Sequence, residues 1–209
     1  MSGRGLGYKA RLREIDAHYG RFLGGRPERR ASCDDVPASP DEPQPIFVFE
    51  FAPRAAGGDW IYVTAGASHR PMRLADDHEH RFEFMLRTKL RRDELADSLA
   101  ALACYPSEHD TFLAPGPTII GGPGGLEGGV LADSPLTDIL VARPHFFPPE
   151  FEAIEHSDGS RSYLLWFIPL YTAERLYVRE YGMWTLFTLF GENDTDTSDL
   201  WRAPVVRAA

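Results

Sequence analysis

Four places in this sequence hold residue types that could do chemistry: a glycine run, a scatter of histidines, an acidic stretch near the C-terminus, and two cysteines. The glycine run is Gly121-Gly122-Pro123-Gly124-Gly125-Leu126-Glu127-Gly128-Gly129, dense enough to be tested as a phosphate cradle. Neither G-x-G-x-x-G nor G-x-x-x-x-G-K-[ST] can be laid on it between a strand and a helix, and Glu127 would repel a phosphate. It reads as a flexible loop. The one close histidine pair, His78 and His80, lies in the charged stretch Asp76-Asp77-His78-Glu79-His80 without a third ligand at regular spacing. Zinc needs four ligands in a closed site or three in an open one, so no metal and no cofactor are expected.

His145 sits in the aromatic, proline-flanked segment Pro144-His145-Phe146-Phe147-Pro148-Pro149, with Glu150 and Glu152 just beyond. This is the basis of one alternative, a small hydrolase or ligand-binding enzyme using the loop around His145. No nucleophile or metal set accompanies it. G-x-S-x-G is absent, and neither Cys33 nor Cys104 has neighbours that would lower a thiol pKa. Two lone cysteines make neither a metal site nor a disulfide framework. Cys104, at the end of an apolar helix face, reads as a small buried hydrophobe. No catalytic residue is named, and the protein is expected not to be an enzyme.

The run Glu192-Asn193-Asp194-Thr195-Asp196-Thr197-Ser198-Asp199 has the look of a calcium loop, with Asp194, Asp196 and Ser198 at positions 1, 3 and 5. Position 6 is then Asp199 where glycine makes the sharp turn, and position 12 is Val205 where a bidentate glutamate belongs. The match fails. What remains is an acidic loop, either a solvated helix exit or a contact surface for a partner's cations. Glu192, Asp194, Asp196 and Asp199 are therefore the candidate partner-binding residues.

Charge points the same way. The net charge of −9 is uneven: residues 1–30 carry eight Lys/Arg against three Asp/Glu, a balance of +5, which leaves −14 on the rest. Such a body repels phosphate backbones, so nucleic acid is not an expected partner. It attracts basic proteins and speeds their encounter at low salt. No apolar run approaches the ~18 residues of a membrane span, and no secretory signal or myristoylation signal opens the chain. A reduced, cytoplasmic protein is the expectation.

The elements that must position these residues follow from periodicity. Leu12, Ile15, Tyr19, Phe22 and Leu23 form one apolar stripe on a helix of about four turns, ended by Gly24-Gly25. Residues 26–45 hold five prolines and no periodic pattern, and read as a connector. Alternation predicts strands over 46–51, 60–64 and 81–88, paired as an antiparallel meander, with Glu83 and Arg87 outward. Asp93 suits a helix N-cap, and Pro106 is expected to stop that helix after Tyr105. A short strand is placed at Thr118-Ile119-Ile120, and 139–142 is read as a central strand covered on both faces. Asp158-Gly159 signals a hairpin between 151–156 and 162–168. Thr172 is the expected N-cap of a last helix interrupted by Gly182 and ended by Gly191, with Trp184 to Phe190 as its buried end. The fold class is α+β: a single domain with a mixed, mostly antiparallel β-sheet flanked by about three helices.

In order and spacing, several of these blocks resemble the suppressor-of-fused-like domain. They are Trp60-Ile61-Tyr62-Val63-Thr64-Ala65-Gly66-Ala67-Ser68, Arg81 to Thr88, Ser134 to Pro144, the Asp158-Gly159 turn, Tyr163 to Ile168, and Leu170-Tyr171-Thr172-Ala173-Glu174. The resemblance covers roughly residues 46–190. It implies a protein-binding module without catalytic residues, and a bacterial stand-alone type associated with toxin systems as an immunity protein. Animal members resemble the chain over their N-terminal half only and restrain a transcription factor of Hedgehog signalling; none of their binding residues is carried over. The expected organisation is an N-terminal helix (1–25), a Pro-rich connector (26–45), the suppressor-of-fused-like domain (46–191) and an acidic C-terminal tail (192–209). The leading expectation is occlusion of a cognate, basic toxin domain. A regulatory or scaffold subunit of a bacterial complex is a further alternative.

Overall fold

A computed structural model of the chain describes residues 7–25, 27–33, 44–73, 79–109, 111–116, 119–120 and 133–206. The glycine run 121–129 and His78 lie outside the described residues. Helix α1 (Tyr8–Leu23) leads into strands β1 (Glu28–Cys33), β2 (Ile46–Phe51) and β3 (Trp60–Ala65). A two-stranded ribbon, β4 (Met72–Arg73) with β5 (Glu79–His80), precedes β6 (Phe82–Thr88) and helix α2 (Asp93–Glu108). Then come β7 (Ile119–Ile120), β8 (Asp138–Ala142), β9 (Ala153–Glu155) and β10 (Arg161–Leu170), and the helices α3 (Thr172–Tyr181) and α4 (Met183–Glu192).

The main sheet runs β1-β2-β3-β6-β10-β8-β7, with β9 also on β10. Among the described residues only β10 and β6 pair in parallel; every other pair in this sheet is antiparallel. The β2-β3-β6 meander is as the alternation predicts. β1 adds a strand on its outer side, from within the segment read as a connector. β8 is not central: it lies between β10 and the two-residue β7, yet all five of its residues are buried because both of its faces are covered.

Two cores result. On one face, Leu95, Leu99 and Leu102 of α2 pack on Phe84, Leu165, Phe167 and Val141. On the other, Ile15 and Tyr19 of α1, Val178 of α3, and Leu186 and Phe190 of α4 pack on Val63, Met85, Leu140 and Trp166. Glu83, expected to face water, is fully buried, because α1 covers the second face. Its Oε2 accepts Thr64 Oγ1–H at 2.6 Å, and its Oε1 accepts the Gly66 and Ser68 N–H groups, each at 3.0 Å. Burial raises its pKa despite these hydrogen bonds, which pull the other way. Tyr19 Oη donates to Thr64 O at 2.8 Å, tying α1 to this turn.

Helix ends differ from expectation by small, explicable amounts. Arg92 is the extended residue before α2, and Asp93 is its first helical residue. α2 runs through Pro106 to Glu108, because in a last turn the proline forfeits only one intrahelical bond while its ring is buried. Thr172 opens α3 after Tyr171, whose N–H donates to Glu174 Oε2 at 3.1 Å. Gly182 (φ +87) separates α3 from α4, and α4 continues past Gly191 to Glu192. Cys104 is disulfide-bonded, and no cysteine is free among the described residues. Cys104 is fully buried, as its place on an apolar helix face implies, and its bond corrects the expectation of two lone, reduced cysteines. The chain's second cysteine, Cys33, ends β1, a strand that α2 packs beside.

Candidate functional site

The hairpin β9–β10 turns at Asp158-Gly159, where Gly159 takes φ +80 and Asp158 Oδ1 accepts the Ser160 N–H at 3.0 Å. The turn sets His156 and Ser162 side by side, His156 Nε2 lying 2.8 Å from Ser162 Oγ. α1 crosses above and brings Glu14 Oε2 to 2.8 Å from His156 Nδ1; Glu14 Oε1 also accepts the Ser157 N–H at 3.3 Å. With the carboxylate on one side, Nδ1–H donates to Glu14 and Nε2 accepts from Ser162. These are the residue types and distances of a serine–histidine–carboxylate relay. Ser162 is 0% exposed and so is the His156 side chain, so no substrate reaches the hydroxyl.

What the relay does is hold α1. Arg11 of the same helix, itself buried, donates to Ser160 Oγ at 3.1 Å and reaches Asp158 Oδ2 at 3.4 Å. One turn beyond Glu14, the His18 ring stacks on Phe151 and bonds its carbonyl at 3.1 Å. Burial lowers the pKa of both His18 and His156, outweighing the hydrogen bonds that favour their protonation. Burial alone would raise the Glu14 carboxyl, but the bonds from Ser157 and His156 hold it below its ordinary value.

The second site is open. The loop after β8 carries His145 and Phe146 against Trp166 of β10 and Phe187 of α4, around a cleft of about 340 Å³. His145 lies 5.5 Å from the Trp166 ring and 5.3 Å from Phe187. Arg87 of β6 occupies the inner end, its guanidinium 4.2 Å above Phe146 and 5.5 Å from Trp166. Its Nε pairs with Asp59 at 3.3 Å, and its Nη2 donates to Thr197 Oγ1 at 3.2 Å. Trp184, expected in a buried helix end, is 72% exposed, because α4 turns Leu186 and Phe190, with Met183 and Phe187 half-buried beside them, onto the core and leaves Trp184 outside.

The candidate acidic residues divide. Asp196 binds Lys89 at 3.0 Å and accepts the Ser198 N–H at 3.0 Å. Burial raises its pKa, but those two partners lower it further, to a net depression. Asp199 Oδ1 accepts the Trp201 N–H at 2.9 Å. Glu192 and Asp194 are exposed, and Asp194 lines the aromatic cleft. The stretch beyond them packs into the body: Arg202 is buried and bidentate on Glu174 at 2.7 and 2.6 Å, and Leu200 O accepts Ser134 Oγ–H at 2.7 Å.

His145, Glu150 and Glu152 do not converge. Each lines a different cleft, Glu150 beside α1 and Glu152 near Arg143 and Tyr163. His80 is half-buried and stacks on Phe82. Among the described residues no group of three His, Cys, Asp or Glu is placed to hold a metal. Glu14, His156 and Ser162 are not among the residues that composition and spacing single out. Pairing His156 with Ser162 across the Asp158-Gly159 turn was within reach of the hairpin signal; Glu14, 142 residues from His156, was not.

The sequence model described as Suppressor of fused protein (SUFU) matches residues 42–203. No curated protein matches the sequence. Among solved structures, the chain is similar to a SUFU homologue from Neisseria gonorrhoeae, with TM-score 0.71, 20% identity, and 97% of this chain and 100% of that one covered. It is similar to a chain of the Sufu–Fu complex, with TM-score 0.68, 15% identity, and 94% and 92% covered. It is also similar to Drosophila Suppressor of Fused, with TM-score 0.60 and 13% identity, where 94% of this chain spans 50% of that one. At these identities the structures show a shared fold. No helix among the described residues is long and apolar enough to cross a membrane.

Proposed function

Since the chain belongs to the Suppressor of fused family, we propose that it is a non-enzymatic protein-binding domain whose partner is a basic protein, a toxin domain that it neutralises by occlusion. One structural relative is Sufu crystallised with Fu, a protein partner, which supports a binding role for the shared fold. The observation that carries the reading is the set of large apolar side chains that α3 and α4 leave in solvent. Leu176, Tyr181 and Trp184 are 51%, 54% and 72% exposed, each costing burial energy that a partner would recover. Large aromatic side chains in such a position are the usual anchors of protein interfaces.

Occlusion needs no chemistry from the inhibitor, only a complementary surface. Glu192, Asp194, Asp196 and Asp199 supply negative charge beside these side chains, with Glu192 and Asp194 the more available pair. A cytoplasmic location goes with the immunity reading, and the bonded Cys104 stands against it, because cytosolic disulfides are rare.

The test is co-expression with the product of the neighbouring gene. The reading expects restored growth and a stoichiometric complex on size exclusion. The absence of both protection and a complex would overturn it.

A further inference from the structure

We propose that the cleft between α4 and the loop after β8 receives an arginine or lysine side chain from a basic segment of the partner, with Trp184 as the apolar lid over its aliphatic stem. This rests on the protein-binding reading and assigns its surface. The argument starts from Gly182. Its positive φ breaks the helix between Tyr181 and Met183, so α4 sets off in a new direction with Trp184 in its first turn. Leu186 and Phe190 are then buried, while Phe187, three residues after Trp184, packs half-buried at the edge of the core and lines the cleft.

From there the rings form a continuous line into the cleft. Trp184 lies 5.7 Å from Phe187, Phe187 5.3 Å from His145, and His145 5.5 Å from Trp166. Aromatic faces carry partial negative charge and attract guanidinium and ammonium groups. The protein already uses the inner end of this line in that way: Arg87 lies over Phe146 and Trp166 and pairs with Asp59. The outer end has the rings and no cation of its own over Phe187 or Trp184 among the described residues.

Charge complementarity selects the occupant. Arg87 and Lys89 are both tied to Asp59, and Lys89 also to Asp196, so the basic groups beside the cleft are spent on carboxylates. Asp194 lines the mouth and Glu192 ends α4 beside it, both exposed. An acidic partner would be repelled. A second copy of the chain would bring −9 against −9.

The test uses the full chain and a fluorescein-labelled short peptide of arginines and leucines, followed by anisotropy, with a peptide carrying glutamate for arginine as its counterpart. The expected result is binding of the arginine peptide alone, weakened about tenfold by Trp184→Ala, equivalent to ~1.4 kcal/mol. The double variant Glu192→Gln/Asp194→Asn is expected to weaken it several-fold and to flatten its salt dependence. Equal binding by Trp184→Ala, equal binding of the glutamate peptide, or no binding at about 1 mM peptide overturns the assignment. So does a concentration-dependent dimer in sedimentation velocity that Trp184→Ala abolishes, which would make the occupant a second copy. The two fail separately: no toxin complex with the wild type ends the protein-binding reading, whereas a toxin affinity unchanged by Trp184→Ala means that the surface is wrong and the role stands.

Discussion

His156 and His145 both follow a strand that pairs with β10, and both lie beside carboxylates, yet one is sealed and the other faces solvent. Above His156, α1 closes the surface and contributes Glu14, so the imidazole becomes one link in a chain of hydrogen bonds. Beside His145, α4 contributes Phe187 without covering the ring, Trp184 turns outward, and the same kinds of group line an open cleft. Residue type therefore says little about role at either place. What separates a structural clasp from a docking surface is whether a helix covers the group. In the covered case an unmade hydrogen bond costs stability; in the open case the groups are held ready for a partner.

If the open face is supported from beneath rather than by its own contacts, the largest effect should come from its anchor. Arg202→Ala leaves Glu174, fully buried at the start of α3, without its bidentate partner. A loss of ~3–5 kcal/mol in urea unfolding is expected. A loss below ~1 kcal/mol would mean that α3 and α4 do not depend on that pair.

Reducing the Cys104 disulfide should cost ~2–4 kcal/mol, read as a lower melting temperature in reductant, with both histidine regions affected alike. The direct contrast comes next. His156→Ala strands Glu14 and Ser162 and should cost ~1–3 kcal/mol, whereas His145→Ala should stay within about 0.5 kcal/mol. Equal costs would erase the distinction between clasp and surface.

The smallest effect is a pH dependence. Folding lowers the pKa of His18 and His156, so below the ordinary imidazole value of 6.5 the unfolded chain takes up protons that the folded chain refuses. Stability is therefore complete above that pH and declines as pH falls through it, until the lowered folded values are passed. Glu14 adds a loss at more acid pH, as its own depressed pKa is crossed. Urea unfolding from pH 8 to 5 should show the decline in the wild type and a flatter curve in His18→Gln/His156→Gln. An identical slope in the double variant would place the titrating groups elsewhere.

Much of the fold was legible because strand and helix periods are local. Phe82, Phe84 and Leu86 alternate, Ile15, Tyr19 and Leu23 recur at helical spacing, and Asp158-Gly159 announces its own turn. The order of blocks along the chain sufficed for the family resemblance. Periodicity states which residues share a face; it does not state what lies over that face. That is why alternation alone places Glu83 in water although it is buried, and why the apolar run of α4 places Trp184 inside although it is exposed. The parallel pairing of β10 with β6, the bond at Cys104, and the meeting of Glu14, His156 and Ser162 are long-range events. Each was decided only when α1, α2 and β10 closed over one another and chose which polar groups to seal and which rings to leave in water.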